Sequence, residues 1–523
     1  MLTTTLLGAG RGADLVHVSV SLHYPSHESG CVEACMCVPF DEERSRLDLV
    51  RLGESWVWLA TLIGAVVFVI SFLFFTRHFN HWAKKGVPCL TPTPFVGNLL
   101  PMLRLQECPG VLVASLYVGA PKHPYVGFFV FDRPALLIRD PEMVKNILVK
   151  DFEYFSDRHT SADESADPLG AKNIFLLKGP KWKYVRSNIS CIFSSGKMKK
   201  HFDLISDCGR ELRDYILKNG VIVNRPVEVR EVVVRSATDV ITKCLFSIEG
   251  DSLKKEDDNF RKYGKKVFDF TLMRALELLT FVFVPSLNKL GFSIFFQKET
   301  DAFIKTKFKE LIGERRKNCL HPKNDLINLL VKLKDSSSER NETGLQTRKI
   351  MKPHERSFEL TDEDVVAQAA IFFTAGFEST SITTSFALYE LALFPSIQWR
   401  LRAEIGAVLA RHGGNITYQS VNEMTYLNMV IKETLRMYPT LPFLDRNCVR
   451  DYVLPGTDIV IEENTPVFIP VLGIQRDPKY FPRPDHFDPE RFSEENKKFL
   501  TPYTYLSFGE GPHMCIGRLR SII

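Results

Sequence analysis

The sequence predicts a mostly α-helical protein that is attached to a membrane by one N-terminal helix. Residues 55–76 carry no charge and match the ~20 residues that cross a hydrocarbon core. Residues 361–394 and 424–438 have helical character, and a proline follows each stretch and ends it. We therefore expect a helix-rich globule that follows a single membrane anchor.

The composition is that of a large globular protein without a strong charge preference. The 523 residues include 67 Lys plus Arg and 62 Asp plus Glu, a formal charge of +5. This small excess predicts no nucleic-acid partner. The 11 cysteines show no disulfide framework, which favours free thiols in a reducing compartment. The closest group lacks a histidine to complete a metal site and is interpreted as unspecific: Cys31, Cys35 and Cys37.

The N-terminal region divides into an extension and an anchor. Residues 1–54 show no sustained periodicity and are predicted to be a weakly structured extension. Residues 55–76 exceed a signal-peptide core of about 7–15 residues and are not followed by a cleavage site, which favours a transmembrane anchor. A buried globular helix is the alternative. Arg77, Lys84 and Lys85 make the following flank the more positive one, which places the globule in the cytosol.

Residues 77–94 are basic and rich in proline, and they are predicted to form a stiff arm between anchor and globule. From residue 95 to residue 523 there is no internal repeat and no linker that would split the chain, so one domain is predicted. Residues 335–356 are polar and are predicted to be an exposed loop between helices.

A glycine-rich loop that begins at Phe508 contains the most distinctive cysteine. Cys515 lies between Gly511 and Gly517, and His513 precedes it. Glycines leave backbone N–H groups uncovered, so such a loop can direct several of them at one sulfur and stabilise a thiolate. Because no second Cys or His stands at zinc-ligand spacing, an axial haem ligand fits better than a zinc site. An ordinary buried cysteine beside a turn is the alternative.

Two further pairs lie on predicted helices. Trp182 and Arg186 share one helical face, where both can donate hydrogen bonds to a carboxylate. A surface arginine packed on a tryptophan is the alternative. Glu433 and Arg436 meet on one helical turn, as many exposed pairs do. Arg491 follows later in a Pro-Glu-Arg-Phe segment.

The longest predicted helix contains an unusual polar segment. Thr361 and Asp364 form a capping-box-like start, and residues 365–377 are apolar on nearly every face, which indicates burial. Residues 375–380 then place a glycine, a carboxylate and two hydroxyls inside this helix. Such residues cost stability in a buried helix, which indicates a functional site, with a solvated helix end as the alternative.

These motifs, in this order, resemble those of the cytochrome P-450 monooxygenases. Residues 508–517 fill the pattern F-x-x-G-x-H-x-C-x-G, and residues 375–380 resemble [AG]-G-x-[DE]-T-[TS]. Residues 433–436 match E-x-x-R, and residues 489–492 match P-E-R-F. The resemblance covers roughly residues 80–517, and the residues in and around these motifs are most similar to those of the microsomal family-six enzymes of insects.

The resemblance implies a helix-rich globule with a small β lobe, in which residues 95–523 bind haem b through the Cys515 thiolate. It assigns the haem propionates to Trp182, Arg186 and His513. Further cofactor contacts are implied for Ala375, Gly376, Arg446, Phe508, Gly511 and Gly517. A buried triad that supports the haem pocket without taking part in catalysis is implied for Glu433, Arg436 and Arg491.

The resemblance also implies a proton relay in the long helix. Gly376 would make room for dioxygen, and Glu378 together with a hydroxyl would deliver protons. Ser379 stands where the family usually has threonine and lacks the methyl group that fixes the rotamer. We assign the hydroxyl role to Ser379, with Thr380 as the second choice.

The implied activity is insertion of one oxygen atom of O2 into lipophilic small molecules, such as plant toxins or insecticides. Because the chain has no flavin or dinucleotide fingerprint, electrons would come from a separate NADPH-dependent reductase, with cytochrome b5 as an additional partner. The implied location is the endoplasmic reticulum membrane, with the catalytic domain facing the cytosol. The apolar residues 281–296 are either core or a segment that dips into the membrane.

The C-terminus departs from the resemblance. After Gly517 the chain reads Arg-Leu-Arg-Ser-Ile-Ile, whereas the family continues with a helix against the haem and a hairpin. We therefore expect a C-terminally incomplete domain with weakened haem retention. Two alternative functions stay open: a biosynthetic hydroxylase of a hormone or fatty acid, and a catalytically inactive truncated membrane protein.

Overall fold

The structure is a computed structural model in which two units are separable, residues 1–76 and residues 77–523. The described residues are 3–6, 15–21, 34–39, 42–120, 123–255, 258–269, 271–291, 294–317, 325–342 and 358–518. Side chains are described from residue 56 onward, except at residues 337–342.

The N-terminal unit contains a small sheet and one long helix. Strands β1 (Thr3–Leu6), β2 (Leu15–Ser21) and β3 (Ala34–Pro39) pair in antiparallel fashion within the segment predicted to be weakly structured. The cysteine group of this segment lies outside the described side chains. Helix α1 (Glu42–Thr76) begins before the uncharged run. Its Trp56–Thr76 portion has a mean hydropathy of 2.6 and no buried residue, as expected for a membrane anchor.

The proline-rich segment after the anchor packs on the globule. Trp82 is 1% exposed, and its indole N–H donates to the Phe128 carbonyl at 3.2 Å. A methyl group added to Gly127 would overlap the Trp82 ring. The Gly127 N–H also donates to the Pro88 carbonyl at 2.7 Å. Side-chain burial and backbone hydrogen bonds therefore hold this segment against a strand.

The second unit is built mainly of helices. Their bounds are α2 (His81–Lys84), α3 (Leu100–Leu103), α4 (Pro109–Gly119), α5 (Pro141–Lys145), α6 (Pro168–Lys172), α7 (Gly179–Ile189), α8 (Ser195–Ile216), α9 (Val229–Phe246), α10 (Asn259–Phe268), α11 (Leu272–Phe283), α12 (Lys298–Lys317), α13 (Leu326–Glu342), α14 (Asp362–Leu393), α15 (Pro395–Arg411), α16 (Tyr418–Glu423), α17 (Thr425–Met437) and α18 (Val471–Gln475). The predicted mostly helical fold is confirmed.

The described residues of this unit also form two small sheets. The larger has the order β4-β5-β9-β6 and consists of β4 (Tyr125–Val130), β5 (Arg133–Ile138), β6 (Leu444–Asn447) and β9 (Pro466–Ile469). Its β5–β9 pair is parallel and the other pairs are antiparallel. The smaller sheet pairs β7 (Tyr452–Val453) with β8 (Val460–Ile461). Strand β6 carries one of the predicted cofactor residues, Arg446.

Helix α14 crosses the core and confirms the predicted long helix. The hydroxyl of Thr361 accepts from the Asp364 N–H, and the Asp364 carboxylate accepts from the Thr361 N–H, so the capping box is present. Although α14 is apolar enough to pass as a membrane span, 67% of its most apolar window is buried, which identifies it as a core helix. The exposed loop predicted at residues 335–356 was wrong in its first part, because helix α13 continues to Glu342, and the rest of that range lies outside the described residues.

The apolar residues 281–296 lie partly in the core. Phe281 and Phe283 belong to the end of α11 and are buried, and Phe296 is buried as well. Leu290, at the end of a short 3-10 turn, is 69% exposed. Core packing therefore accounts for most of this segment, and one exposed apolar tip remains.

Candidate functional site

The loop around Cys515 is held by its own backbone. The Cys515 N–H donates to the Phe508 carbonyl at 2.8 Å, and the Met514 N–H donates to the Gly511 carbonyl at 3.0 Å. Gly509 and Gly511 have φ angles of +67° and +73°, which only glycine adopts at low cost. A methyl group added to Gly511 would also overlap the Leu148 carbonyl oxygen. Glycine is therefore required at position 511 for two independent reasons.

Three groups near the sulfur of Cys515 favour its thiolate form, although burial outweighs them. The N–H groups of Gly517 and Arg518 point at it, and the Arg186 guanidinium lies nearby. Burial is the largest influence and raises the pKa of the Cys515 thiol, while the two N–H groups and the Arg186 charge act in the opposite direction. The cysteine is nevertheless exposed on one side, so its sulfur can reach a ligand. The predicted arrangement of N–H groups around the sulfur is present.

Trp182 and Arg186 meet the same loop. The Arg186 guanidinium donates to the Met514 carbonyl at 2.6 Å. The Trp182 indole packs against the His513 imidazole at a tilt of 35°, with ring centres 3.8 Å apart. The His513 ring contacts the Ser156 carbonyl at 2.7 Å. Burial, followed by the charges of Arg446 and other nearby arginines, lowers the pKa of His513 to about 2, so the ring is neutral.

A buried arginine that sequence reasoning missed joins this site. Arg158 donates to the Asp445 carboxylate at 3.3 Å, and both side chains are nearly buried, at 8% and 6% exposed. Arg446 follows Asp445 on β6 and is 1% exposed. Burial and the neighbouring Arg158 lower the pKa of Arg446 to about 9, so it stays charged at neutral pH. The pairing of residues 158 and 445 across the chain leaves no local sequence signal.

The site has an excess of positive charge, which is buried at Arg158 and Arg446 and partly buried at Arg186. Arg158, Arg186 and Arg446 all lie close enough to influence the pKa of His513, and Asp445 is the carboxylate that pairs with Arg158. The Nε–H groups of Arg158 and Arg446 are buried and have no hydrogen-bond partner among the described residues. Buried donors of this kind need an acceptor. The donor set therefore fits an anionic group such as the two carboxylates of haem b.

The three residues predicted to form a structural triad lie together, with Glu433 and Arg436 fully buried and the Arg491 side chain 9% exposed. The Arg436 guanidinium donates to both Glu433 oxygens at 2.7 Å, and Arg491 donates to Glu433 at 3.2 Å. The Glu433 carboxylate also accepts from the Asp488 N–H at 3.0 Å. Arg436 further donates to the carbonyls of Gln475 and Pro484. The triad thus joins α17 to the segment that leads to the cysteine loop.

The polar segment of α14 presents two different faces. Ala375, Ser379 and Thr380 are exposed. Glu378 is 13% exposed, and its carboxylate accepts from Arg230 on α9 at 3.2 Å. A methyl group added to Gly376 would overlap Ile241 of α9, so this glycine permits close packing of the two helices. The hydroxyls and the carboxylate of this segment therefore point to different surroundings.

The predicted residues form three groups. The first joins the Cys515 loop with α7 and β6, the second is the Glu433 triad, and the third is residues 375–380 of α14. Ile516 of the loop packs against the hydrophobic cluster that contains Phe372 and Phe373 of α14, which links the first group to the third.

Comparisons with known proteins identify the family of this chain. The cytochrome P450 family model matches residues 87–519. Cytochrome P450 6k1 of Blattella germanica is 47% identical over 468 residues, which is 89% of this chain and 87% of that protein. Cytochrome P450 6l1 of the same species is 41% identical over 88% of this chain and 86% of that protein. The probable cytochrome P450 6g2 of Drosophila melanogaster is 39% identical over 88% of each chain. The chain therefore belongs to the cytochrome P450 family, whose members are haem-thiolate monooxygenases, and is similar to insect family-six enzymes.

Proposed function

We propose that this chain is a membrane-anchored monooxygenase of lipophilic xenobiotics, such as plant toxins or insecticides, that receives electrons from an NADPH-dependent reductase. The main support is a site that joins the glycine-lined Cys515 with three arginines, of which Arg158 and Arg446 are buried and Arg186 is partly buried. The similarity to insect family-six enzymes supports the substrate class.

The chain's own residues hold the cofactor. Cys515 supplies the thiolate ligand, and haem bound there supplies the activation of O2. Arg158, Arg186 and Arg446 supply positive charge for the propionates. His513 is neutral and packs on Trp182, and its one N–H donates to the Ser156 carbonyl, so the ring anchors the loop without adding charge.

Residues of α14 transfer the protons that the reaction consumes. Monooxygenation puts one oxygen atom of O2 into the substrate and releases the other as water, and this consumes two protons and two electrons. Glu378 can take protons from solvent, and the hydroxyls of Ser379 and Thr380 can pass them on. Gly376 and Ala375 keep this part of the helix free of bulky side chains.

The location is part of the proposal. The apolar Trp56–Thr76 segment supports an anchor in the endoplasmic reticulum membrane, and the basic residues after it favour a globule in the cytosol. Both the reductase and cytochrome b5 would then reach the enzyme from the cytosolic side.

The proposal is tested with the full chain expressed in microsomal membranes together with a reductase. We expect NADPH- and O2-dependent hydroxylation of at least one apolar plant toxin or insecticide, and no product from Cys515→Ser. Turnover of a hormone or fatty acid with none of the xenobiotics would contradict the substrate class. Product formation without the reductase would contradict the electron source.

A further inference from the structure

The side chain of Gln475 joins two parts of the fold that meet behind the cysteine loop. Gln475 is the last residue of α18 and is fully buried. Its amide nitrogen donates to the carbonyls of Leu435 at 3.2 Å and of Arg436 at 2.9 Å, near the end of α17. Its amide oxygen accepts from the Leu506 N–H at 2.7 Å. One uncharged side chain therefore links α17 to the segment that enters the cysteine loop.

The bonds to α17 satisfy carbonyls that the helix itself leaves open. The last carbonyls of an α-helix have no intrahelical partner, and α17 ends at Met437. Gln475 covers two of these carbonyls, and the Arg476 guanidinium donates to the Met437 carbonyl at 3.0 Å. The Arg436 guanidinium in turn donates to the Gln475 carbonyl at 2.8 Å. Gln475 is therefore fixed relative to the helix that carries Glu433 and Arg436.

The bond to Leu506 lies at the entrance of the loop. The Leu506 carbonyl accepts from the Gly509 N–H, and the Phe508 carbonyl accepts from the Cys515 N–H, both at 2.8 Å. Leu506 is 1% exposed, so water is a poor substitute for the acceptor that Gln475 provides. A displacement of Leu506 would pass through these backbone bonds to Cys515.

A primary amide meets the demands of both sides. Its two N–H donors face two carbonyls and its oxygen faces an N–H, so a rotated amide would place its nitrogen against the Leu506 N–H. The Ser507 hydroxyl lies 3.0 Å from both the Leu435 carbonyl and the Gln475 amide oxygen and can donate to either. A buried polar network whose members are all paired favours one arrangement of its surroundings.

We propose that Gln475 is a positioning residue for the thiolate ligand. Through its bond to the Leu506 N–H it holds the cysteine loop at a set distance from α17, and this places the Cys515 sulfur for ligation. The bond to the loop carries this role, whereas the bonds to α17 contribute stability. The inference rests on the haem-thiolate site of the proposed function.

Two substitutions separate the two sides of Gln475. Gln475→Met keeps the length of the side chain and leaves the Leu506 N–H buried without an acceptor. Gln475→Glu removes the amide donors to α17, but in either protonation state it keeps an oxygen that accepts from Leu506. Glu404→Gln is the matched control, because the Glu404 carboxylate accepts from the N–H groups of Tyr426 and Leu427 at the other end of α17.

Two quantities are measured for the full chain with bound haem in membranes. The first is the urea concentration that releases half of the haem, which we expect all three variants to lower. The second is the share of the reduced carbon monoxide complex that shows the band of thiolate-ligated haem. We expect Gln475→Met to lower this share at least about threefold, and Gln475→Glu and Glu404→Gln to stay within about 1.5-fold of the wild type.

The outcomes separate positioning from stability. A wild-type thiolate share in Gln475→Met would overturn the proposal, and so would equal losses of this share in Gln475→Met and in either Gln475→Glu or Glu404→Gln. If Gln475→Met does not accumulate, Gln475→Glu decides: a wild-type share supports the role of the loop bond, and a loss of about threefold or more overturns it. Absence of the thiolate band in the wild type would overturn the haem-thiolate site itself and this inference with it.

Discussion

Gly511 lies so close to the Leu148 backbone that a methyl group at position 511 would overlap the Leu148 carbonyl oxygen. Gly509, two residues earlier in the same loop, has a similar positive φ, but a methyl group there would meet its nearest atom at 3.8 Å. Gly509 is therefore required only for its backbone conformation, whereas Gly511 is required both for its backbone conformation and for the space its side chain leaves free.

This difference predicts unequal effects of two alanine substitutions. Gly509→Ala should show only backbone strain of about 1 kcal/mol, because its side chain has room. Gly511→Ala adds a clash with backbone and should displace the loop, which we expect to lower haem content at least about tenfold. Haem per protein, measured by absorbance of purified protein, checks this. Equal haem content in the two variants would contradict the account of the loop.

Arg158 is expected to be essential although no motif marks it. Arg158→Gln leaves the buried Asp445 carboxylate without its nearest cation and should cost about 3–5 kcal/mol of unfolding free energy. Because Asp445→Asn removes that uncompensated charge, adding it to Arg158→Gln should recover part of the stability. Haem affinity should stay low in the double variant, since the propionates still lack Arg158. Recovery of both stability and haem affinity in the double variant would indicate that the role of Arg158 is purely structural.

Loss of the Glu433 charge is expected to have a large effect on stability. Glu433→Gln leaves Arg436 and Arg491 buried without their counter-charge, which should cost about 3–5 kcal/mol in urea unfolding. The exposed pair Lys307–Glu310 has the same i,i+3 spacing, so Glu310→Gln is the control and should change stability by about 0.5 kcal/mol or less. Comparable losses in the two variants would contradict the importance of burial.

Because His159 is buried, we expect the folded protein to lose stability in mild acid. Burial lowers the pKa of His159, and the nearby Lys178 and Arg133 act in the same direction, while Asp445 and the Phe283 carbonyl oppose them. An unfolded histidine has a pKa of about 6.5, so below that pH the unfolded chain binds the proton first. Stability should therefore fall as the pH drops below about 6.5, at up to about 1.4 kcal/mol per pH unit. His159→Gln should show a shallower slope in unfolding experiments between neutral pH and pH 5. Equal slopes in the wild type and the His159→Gln variant would contradict this role of His159.

Motifs with short spacing were predictable because covalent geometry alone brings their residues together. Trp182 and Arg186 share a helical face, and Glu433 and Arg436 share a turn. The loop of Cys515 was predictable because its glycines and its sulfur lie within ten residues of each other. Helix α14 was predictable from its cap and its apolar length.

Contacts across the chain could not be predicted. Arg158 meets Asp445, which is 287 residues away, and Arg230 meets Glu378, which is 148 residues away. Each is an ordinary charged residue in its own segment, and only tertiary packing makes it part of a site. The proline-rich arm is a similar case: its composition indicates stiffness, whereas its burial depends on Trp82 finding the space that Gly127 leaves.

Cys515 of this 523-residue chain is expected to ligate haem iron as a thiolate. The most direct measurement is the reduced carbon monoxide difference spectrum of the full chain in membranes, beside Cys515→Ser at equal protein level. We predict the strongly red-shifted band of thiolate-ligated haem in the wild type and its loss in the variant. Absence of this band in the wild type, or the same band in both proteins, would contradict ligation of haem iron by Cys515.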